Sequence, residues 1–316
     1  MTAVGEIDRR IRSLRPPKPF VDPYEAHGSL LEDERRPGGK MQRALTVFLA
    51  GAECPFTCSF CDVWRWTIDG PTPRGALTKQ LSRILESLDA PKPDRLKLYN
   101  ASNFFDQRAV PAEDVSEIAA LAVPFAAVTV ETHATMVGDK TLAFAELLPG
   151  RLEVAVGLET INPVAASHLN KRLELSRFDS AARFLSDNGI ELRVFVLLGV
   201  PYVGVEEQVE WTVRSVGHAI DRGASVVSII PVRGGNGELD RLQSLGQFTP
   251  PTLSQLEEAL DQCSRFASGV VTADLWDISR LQACETCKAT RVDRLARQNI
   301  SGRTEPRILC DVCGTA

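Results

Sequence analysis

The chain contains no apolar stretch approaching the ~18 residues of a membrane span. Its start, Met1 to Leu14 with Arg9, Arg10 and Arg12, lacks the apolar core of a secretory signal. A membrane protein is not expected, and cytoplasm is the default location. An excess of one charge is also missing, since 36 Lys and Arg face 41 Asp and Glu for a net -5. That charge is uneven: residues 1–43 carry nine basic against seven acidic side chains and residues 284–316 six against four, which leaves -9 for the middle. An acidic middle argues against a broad nucleic-acid track across the core, though not against local contacts at the ends. There is no low-complexity segment, and no repeat beyond an alternation of strand and helix patterns. What is present, 316 residues at 44% hydrophobic and 24% charged, suits one large core domain and a small appendage.

The eight cysteines fall as three, one and four. The first group, Cys54, Cys58 and Cys61, is spaced C-x3-C-x2-C directly after an apolar run. In a compact loop this spacing brings three sulfurs to three iron corners of a 4Fe-4S cluster and leaves the fourth iron without a protein ligand. The competing readings are a zinc loop completed by a distant ligand, or three core cysteines. Cys263 lies in line with Leu256, Ala259, Leu260 and Phe266 at helical spacing and is expected in the core.

Residues 1–43 are interrupted by Pro16, Pro17, Pro19, Pro23, Pro37, Gly38 and Gly39, and read as an extended arm with one short helix near Ile7–Leu14, or as a disordered tail. From Leu45 short apolar runs alternate with amphipathic segments. The runs are 45–50, 95–99, 126–131, 152–158, 192–198 and 226–231; helical patterns lie around 78–88, 112–121, 139–147, 176–188 and 205–222. Strands nearly continuous in Val, Leu and Ile, joined by helix-length crossovers, predict a parallel sheet covered by helices. Six units suit an α/β fold, a partial (β/α)6 barrel with function at the carboxyl ends of its strands. The expected divisions are an arm (1–43), the barrel (44–235), an extension (236–282) with a helix at 252–266 and an edge strand at 270–276, and a four-cysteine module (283–316).

The three-cysteine loop, with Phe60 just before its last cysteine, resembles the signature of the radical S-adenosylmethionine (SAM) superfamily. The resemblance implies a 4Fe-4S cluster whose open iron chelates SAM, reductive cleavage to a 5'-deoxyadenosyl radical, and hydrogen abstraction from a substrate. It also implies a reductant such as ferredoxin or flavodoxin. Phe60 is then expected near the adenine. The turn Asn100-Ala101-Ser102-Asn103 departs from the family's Gly-Gly pattern, with Asn103 as the residue expected at the methionine amino group. Glu131 and Glu159, which close strands three and four, are expected at the ribose and amino group, and Lys171, or else Arg172, at the SAM carboxylate. Leu198-Gly199-Val200-Pro201 is similar to a turn that presents backbone to the adenine, so Gly199 joins the set. Gly157-Leu158-Glu159-Thr160 followed by Asn170-Lys171 resembles the radical SAM subunit of archaeosine synthase and the catalytic subunit of the Elongator complex. Each carboxylate also has a plain reading, a salt bridge at the barrel rim. His133 is either a proton donor or a rim histidine bonded to backbone, and Trp64 and Trp66 either wall the cavity or pack the loop.

Cys284, Cys287, Cys310 and Cys313 form two C-x2-C knuckles 22 residues apart. Four ligands with no open site is the structural zinc pattern, and a second 4Fe-4S cluster fits the same ligand count. The arginines between the knuckles read as a solvated face or as an RNA phosphate surface. Two function classes follow: a radical SAM enzyme acting on a tRNA base or a small biosynthetic intermediate, and a non-catalytic metal-dependent RNA-binding or scaffold protein.

Overall fold

A computed structural model describes residues 3–89, 91–266 and 268–314. Residues 1, 2, 315 and 316 of the expected arm and tail module lie outside the described residues. One eight-stranded sheet forms the body: β1 (Gly28–Arg35), β2 (Met41–Phe48), β3 (Arg95–Tyr99), β4 (Ala127–Thr132), β5 (Arg151–Glu159), β6 (Glu191–Leu198), β7 (Ala224–Pro231) and β8 (Val270–Ala273). The strands lie in chain order, β1 antiparallel to β2 and every later pair parallel. Ten helices accompany them among the described residues: α1 (Ala3–Leu14), α2 (Ala76–Glu86), α3 (Ala112–Ala122), α4 (Asp139–Leu147), α5 (Pro163–His168), α6 (Leu175–Asp187), α7 (Gln208–Asp221), α8 (Glu238–Ser244), α9 (Leu253–Cys263) and α10 (Lys288–Ser301).

The six expected strands are β2 to β7, and the expected edge strand is β8. The sheet does not stop at the expected divisions, however. The arm contributes β1, paired along its whole length with β2, because an unpaired first strand leaves its backbone groups to solvent. β1 and β8 remain the two edges, and α10 packs against both.

The strands also differ from the expected continuous apolar runs. On β5, Leu152, Val154, Val156 and Leu158 join the core under the helices, and on β3 so do Leu96 and Leu98. The alternate positions face a lumen, where the fully buried Glu153 accepts from Arg193 (2.9 Å), pairs with Arg36 (2.7 Å) and Arg95 (3.4 Å) and accepts from Thr129 (2.9 Å). Burial alone raises a carboxyl pKa, but Arg193, Arg95 and Arg36 outweigh it and hold Glu153 well below the usual range. Arg193 also pairs with Glu34, and Lys97 with Glu34 at 3.1 Å. This ion-paired layer fills the lumen at the amino ends of the strands and leaves function to the other end.

Helix placement follows from burial pattern and caps. On α7, Val209, Val213, Val216 and Ile220 face the sheet. α9 starts at a capping box in which Thr252 Oγ1 accepts from the Gln255 N–H (3.2 Å) and Gln255 Oε1 from the Thr252 N–H (2.9 Å). Cys263 is 1% exposed in the core, as its helical spacing implies.

Candidate functional site

The cysteine loop follows β2 at the carboxyl end of the sheet, and side chains from several distant segments hold it. Loop backbone is fixed first: the Ala52 N–H donates to Thr72 Oγ1 (2.8 Å) and the Ile68 N–H to the Gly51 carbonyl (2.9 Å). Between the first two cysteines, buried Thr57 meets Asn170, whose Nδ2 donates to the Thr57 carbonyl (2.8 Å) and hydroxyl (2.9 Å). Asp8 of α1 accepts from the Thr57 hydroxyl, from Asn170 Nδ2 (2.9 Å) and from Arg172. Burial works against the Asp8 charge, but these donors prevail and lower its pKa to about 2. Between the last two cysteines, Ser59 donates its N–H to the Leu169 carbonyl (2.9 Å), while Asn236 Nδ2 donates to the carbonyls of Ser59 (2.9 Å) and Cys61 (3.2 Å). The arm is therefore no loose tail: α1 also reaches Glu238 through Arg10 (3.0 Å), and Arg15 just after it meets Glu53 (2.8 Å).

Around the thiols stand most of the expected residues. Asn103, 2% exposed, donates from Nδ2 to Cys54 Sγ (3.2 Å) and accepts the His133 N–H at Oδ1 (2.6 Å). Glu159 and Lys171 are paired at 2.8 Å, both side chains largely buried. Burial opposes the Lys171 charge, but Glu159 and the nearby Cys58 raise its pKa above the usual lysine value. Glu159 takes a left-handed backbone (φ 67°), which folds its carboxylate back over Gly157. A Cβ at Gly157 would lie 2.0 Å from Glu159 Oε1 and 2.9 Å from Lys171 Nζ, so a larger residue there would have to displace the ends of the paired side chains. Burial pushes the Cys54 and Cys61 thiols up and Cys58 to about 12, so their thiolate forms need a cation among them.

Glu131 lies under the turn after β3. Its Oε1 accepts the Asn100 N–H (2.8 Å), and the Ala101 and Ser102 N–H groups also bond it. The carboxylate thus holds the turn after β3, where Ala101 adopts φ 53° at a position that the resemblance would give to glycine. Desolvation, stronger than these donors, raises the Glu131 pKa to about 7. His133 is a bracket: its ring stacks on Phe56 of the cysteine loop (centroids 4.1 Å apart), and Nδ1 accepts from the Thr135 N–H (3.2 Å). That leaves Nε2–H to donate to the Lys171 carbonyl (3.1 Å). Burial, then the Lys171 charge, lowers the His133 pKa to about 3, so the ring stays neutral.

Phe60 packs, half-buried, against a small core cluster that includes Ala165, Leu169, Val200 and Leu239. Gly199 takes φ 82° with Pro251 against the face a Cβ would occupy. Trp64 is buried under Arg15 (4.6 Å from guanidinium carbon to ring), whereas Trp66 is half exposed beside His27. The residues that sequence reasoning passed over, Asp8, Thr57, Asn170 as a loop anchor, and Asn236, act only through contacts across the chain. Near the loop several buried polar atoms lack a protein partner: both amide atoms of Asn100 and the hydroxyls of Ser59, Ser102 and Thr132. Orphaned polar atoms beside three thiols and an acid–base pair fit a site built for a polar ligand bound next to a metal centre.

The four tail cysteines gather elsewhere, with their sulfurs all within 4.8 Å of one another. Two of the tail arginines turn inward, Arg291 to Glu257 Oε2 (2.9 and 2.6 Å) and Arg294 to Asp261 (2.8 Å), while Arg297 pairs with Glu305 and Arg307 with Asp261 at the surface.

No family model and no curated protein matches the chain. Solved structures do. An N-terminally truncated Elp3 from the archaeon Methanocaldococcus infernus aligns with a TM-score of 0.52 at 14% identity, over 70% of this chain and 59% of that one. Methylornithine synthase (PylB) aligns at 0.52 and 16%, over 71% and 63%. Spore photoproduct lyase, solved with a dinucleoside spore photoproduct, aligns at 0.51 and 13%, over 69% and 71%. The chain thus spans less than two thirds of the first two proteins. At such identities the likeness is one of fold, and the fold is that of radical SAM enzymes.

Proposed function

We propose that this chain, built on the radical SAM fold, is a radical SAM enzyme whose cluster is held by Cys54, Cys58 and Cys61. The observation that carries the reading is the three-thiol loop at the carboxyl end of the sheet, walled by the Glu159–Lys171 pair and by orphaned polar atoms. When bound, a 4Fe-4S cluster and SAM supply one-electron chemistry: reductive cleavage of the sulfonium and hydrogen abstraction from a substrate. The chain's own residues bind and orient. Lys171 and Glu159 offer opposite charges to the zwitterionic head of an amino acid, Lys171 to the carboxylate and Glu159 to the ammonium or to ribose hydroxyls. Asn103 touches both Cys54 and the backbone of His133, so it couples the cluster loop to the amino-group position. Phe60 and Gly199 border the adenine side. Glu131 acts one step removed, as a positioning residue that fixes the Asn100–Ser102 turn. A low-potential donor such as ferredoxin or flavodoxin supplies the electron, and the substrate is a tRNA base or a small biosynthetic intermediate.

The RNA-binding scaffold reading has less support, because two of the tail arginines that would meet phosphates, Arg291 and Arg294, are buried against Glu257 and Asp261. The test is anaerobic reconstitution followed by reduction in the presence of SAM. The intact chain should yield 5'-deoxyadenosine, and Cys54→Ala, Cys58→Ala or Cys61→Ala should abolish it together with the iron of that loop. Undiminished cleavage in the triple variant sinks the assignment.

A further inference from the structure

We propose that Cys284, Cys287, Cys310 and Cys313 hold one tetrahedral zinc ion rather than a second iron-sulfur cluster, and that this ion seats α10 against the open edges of the sheet. The first part rests on sulfur spacing. Zinc–thiolate bonds of about 2.3 Å place the corners of a sulfur tetrahedron about 3.8 Å apart. Cys287 Sγ and Cys313 Sγ stand 3.8 Å apart, and all four sulfurs lie within 4.8 Å. A cubane has its irons at separate corners and spreads its thiolates to roughly 6 Å, too wide for this group. Among the described residues no other set of three or more His, Cys, Asp or Glu side chains is gathered tightly enough to hold an ion, and the Cys54–Cys58–Cys61 loop is not.

The knuckles are built for closure. The Cys284 carbonyl accepts from the N–H groups of Cys287 (3.3 Å) and Lys288 (3.0 Å), and the Cys310 carbonyl from that of Gly314 (2.9 Å). Arg291 lies with a guanidinium nitrogen 4.0 Å from Cys287 Sγ while it bonds Glu257 and Ser254 of α9. Four thiolates around a divalent ion leave two negative charges, and the Arg291 guanidinium, shared with Glu257, lies beside one of the four sulfurs. Every sulfur is used in such a site and no position is open, so it has no place for a substrate.

The second part rests on what lies between the knuckles. α10 leaves one knuckle, and the chain returns to the other past Gly302, whose backbone abuts the Arg35 guanidinium of β1. Asn299 donates from Nδ2 to the Ala273 carbonyl and accepts the Ala273 N–H at Oδ1, both at 2.8 Å. One side-chain amide thereby satisfies both backbone groups of Ala273, the last residue of edge strand β8. α10 touches both edges, and the ion would tie the knuckle at its N-terminus to the segment that returns from its far end.

The experiment uses the full chain with Cys54, Cys58 and Cys61 replaced by Ala, which removes the first centre and leaves the tail as the metal site. Metal and acid-labile sulfide analysis should find one zinc per chain with neither iron nor sulfide, and cobalt exchanged for zinc should show the absorption of a tetrahedral thiolate complex. Iron with sulfide, iron without sulfide, or no bound metal overturns the zinc assignment, whatever the fate of the SAM reaction. In the otherwise unaltered chain, the four tail cysteines replaced by Ser should cost the zinc and none of the iron; loss of half the iron overturns it. For the seat, hydrogen exchange before and after chelation of the ion should show residues 270–273 and 288–301 exchanging at least about tenfold faster, the rate expected when a local opening is made easier. Unchanged exchange there overturns the structural role.

Discussion

The two cysteine centres of this chain differ in how they are closed. The tail gathers four sulfurs within 4.8 Å from two short knuckles, with one helix between them. The loop after β2 offers three thiols not gathered for a single ion, and its shape depends on Asp8, Asn170 and Asn236, residues far away in sequence. Local closure completes a coordination shell and ends chemistry there. Assembly from distant segments leaves one side open, which a site for a reacting ligand requires. The charges nearby differ too: Arg291 pairs with Glu257 of the neighbouring helix, whereas Lys171 pairs with Glu159 beside the thiol of Cys58.

Three substitutions sharpen this contrast, since each should disturb the loop and leave the tail metal in place. The largest effect is expected from Glu159→Ala, which strands a largely buried Lys171 ammonium. Breaking such a pair costs about 3–5 kcal/mol. SAM affinity and thermal stability should both fall while zinc content stays constant, and unaltered SAM affinity with normal iron would remove the pair from the pocket. Next is Asp8→Ala, which takes three donors' partner from the arm. Hydrogen bonds to a charged group contribute about 1.5–3 kcal/mol each when buried, and less here because Asp8 is partly exposed. Cluster loss under chelator should accelerate several-fold, with Asp8→Glu restoring part of the lifetime; equal lifetimes would mean that α1 merely rests on the loop. Acid gives the same contact a pH signature. A carboxyl lowered to about 2 contributes stability that is full above its unfolded pKa near 3.8 and is lost as pH falls through about 2.

The smallest effect concerns Glu131. Its folded pKa of about 7 lies above the reference value of 4.5, so between these values the folded chain binds the extra proton and stability declines as pH rises. Below 4.5 and above about 7 this contribution is flat. Glu131→Gln retains an acceptor for the turn and should abolish that slope in denaturant titrations of the metal-free chain. Persistence of the slope would assign it to another group.

Much of this arrangement was legible because it is local. Each of the six expected strands overlaps its observed counterpart, with 95–99 matched end to end, and the helix at 139–147 matches α4. Period and turn chemistry act over a few residues, and neighbouring residues carry them. β1 is not legible in the sequence because its residues, Gly28–Arg35, carry Glu32, Asp33 and Glu34 amid turn-forming neighbours, and the partners that Glu34 meets, Arg193 and Lys97, come from distant strands. α10 was passed over for a similar reason. Its arginines read as a solvated surface until α9 presents Glu257 and Asp261 to them.

By itself the sequence determined the cysteine groupings, the alternation that makes a parallel sheet, and the placing of Glu131 and Glu159 at strand ends. These depend on spacing along a chain whose strands and helices have fixed periods. Tertiary structure alone decided that Glu131 holds the turn after β3, that His133 is a neutral bracket, and that α1 grips the cysteine loop. A carboxylate or an imidazole takes its role from the donors and the desolvation around it, and those come from segments that only the folded chain brings together.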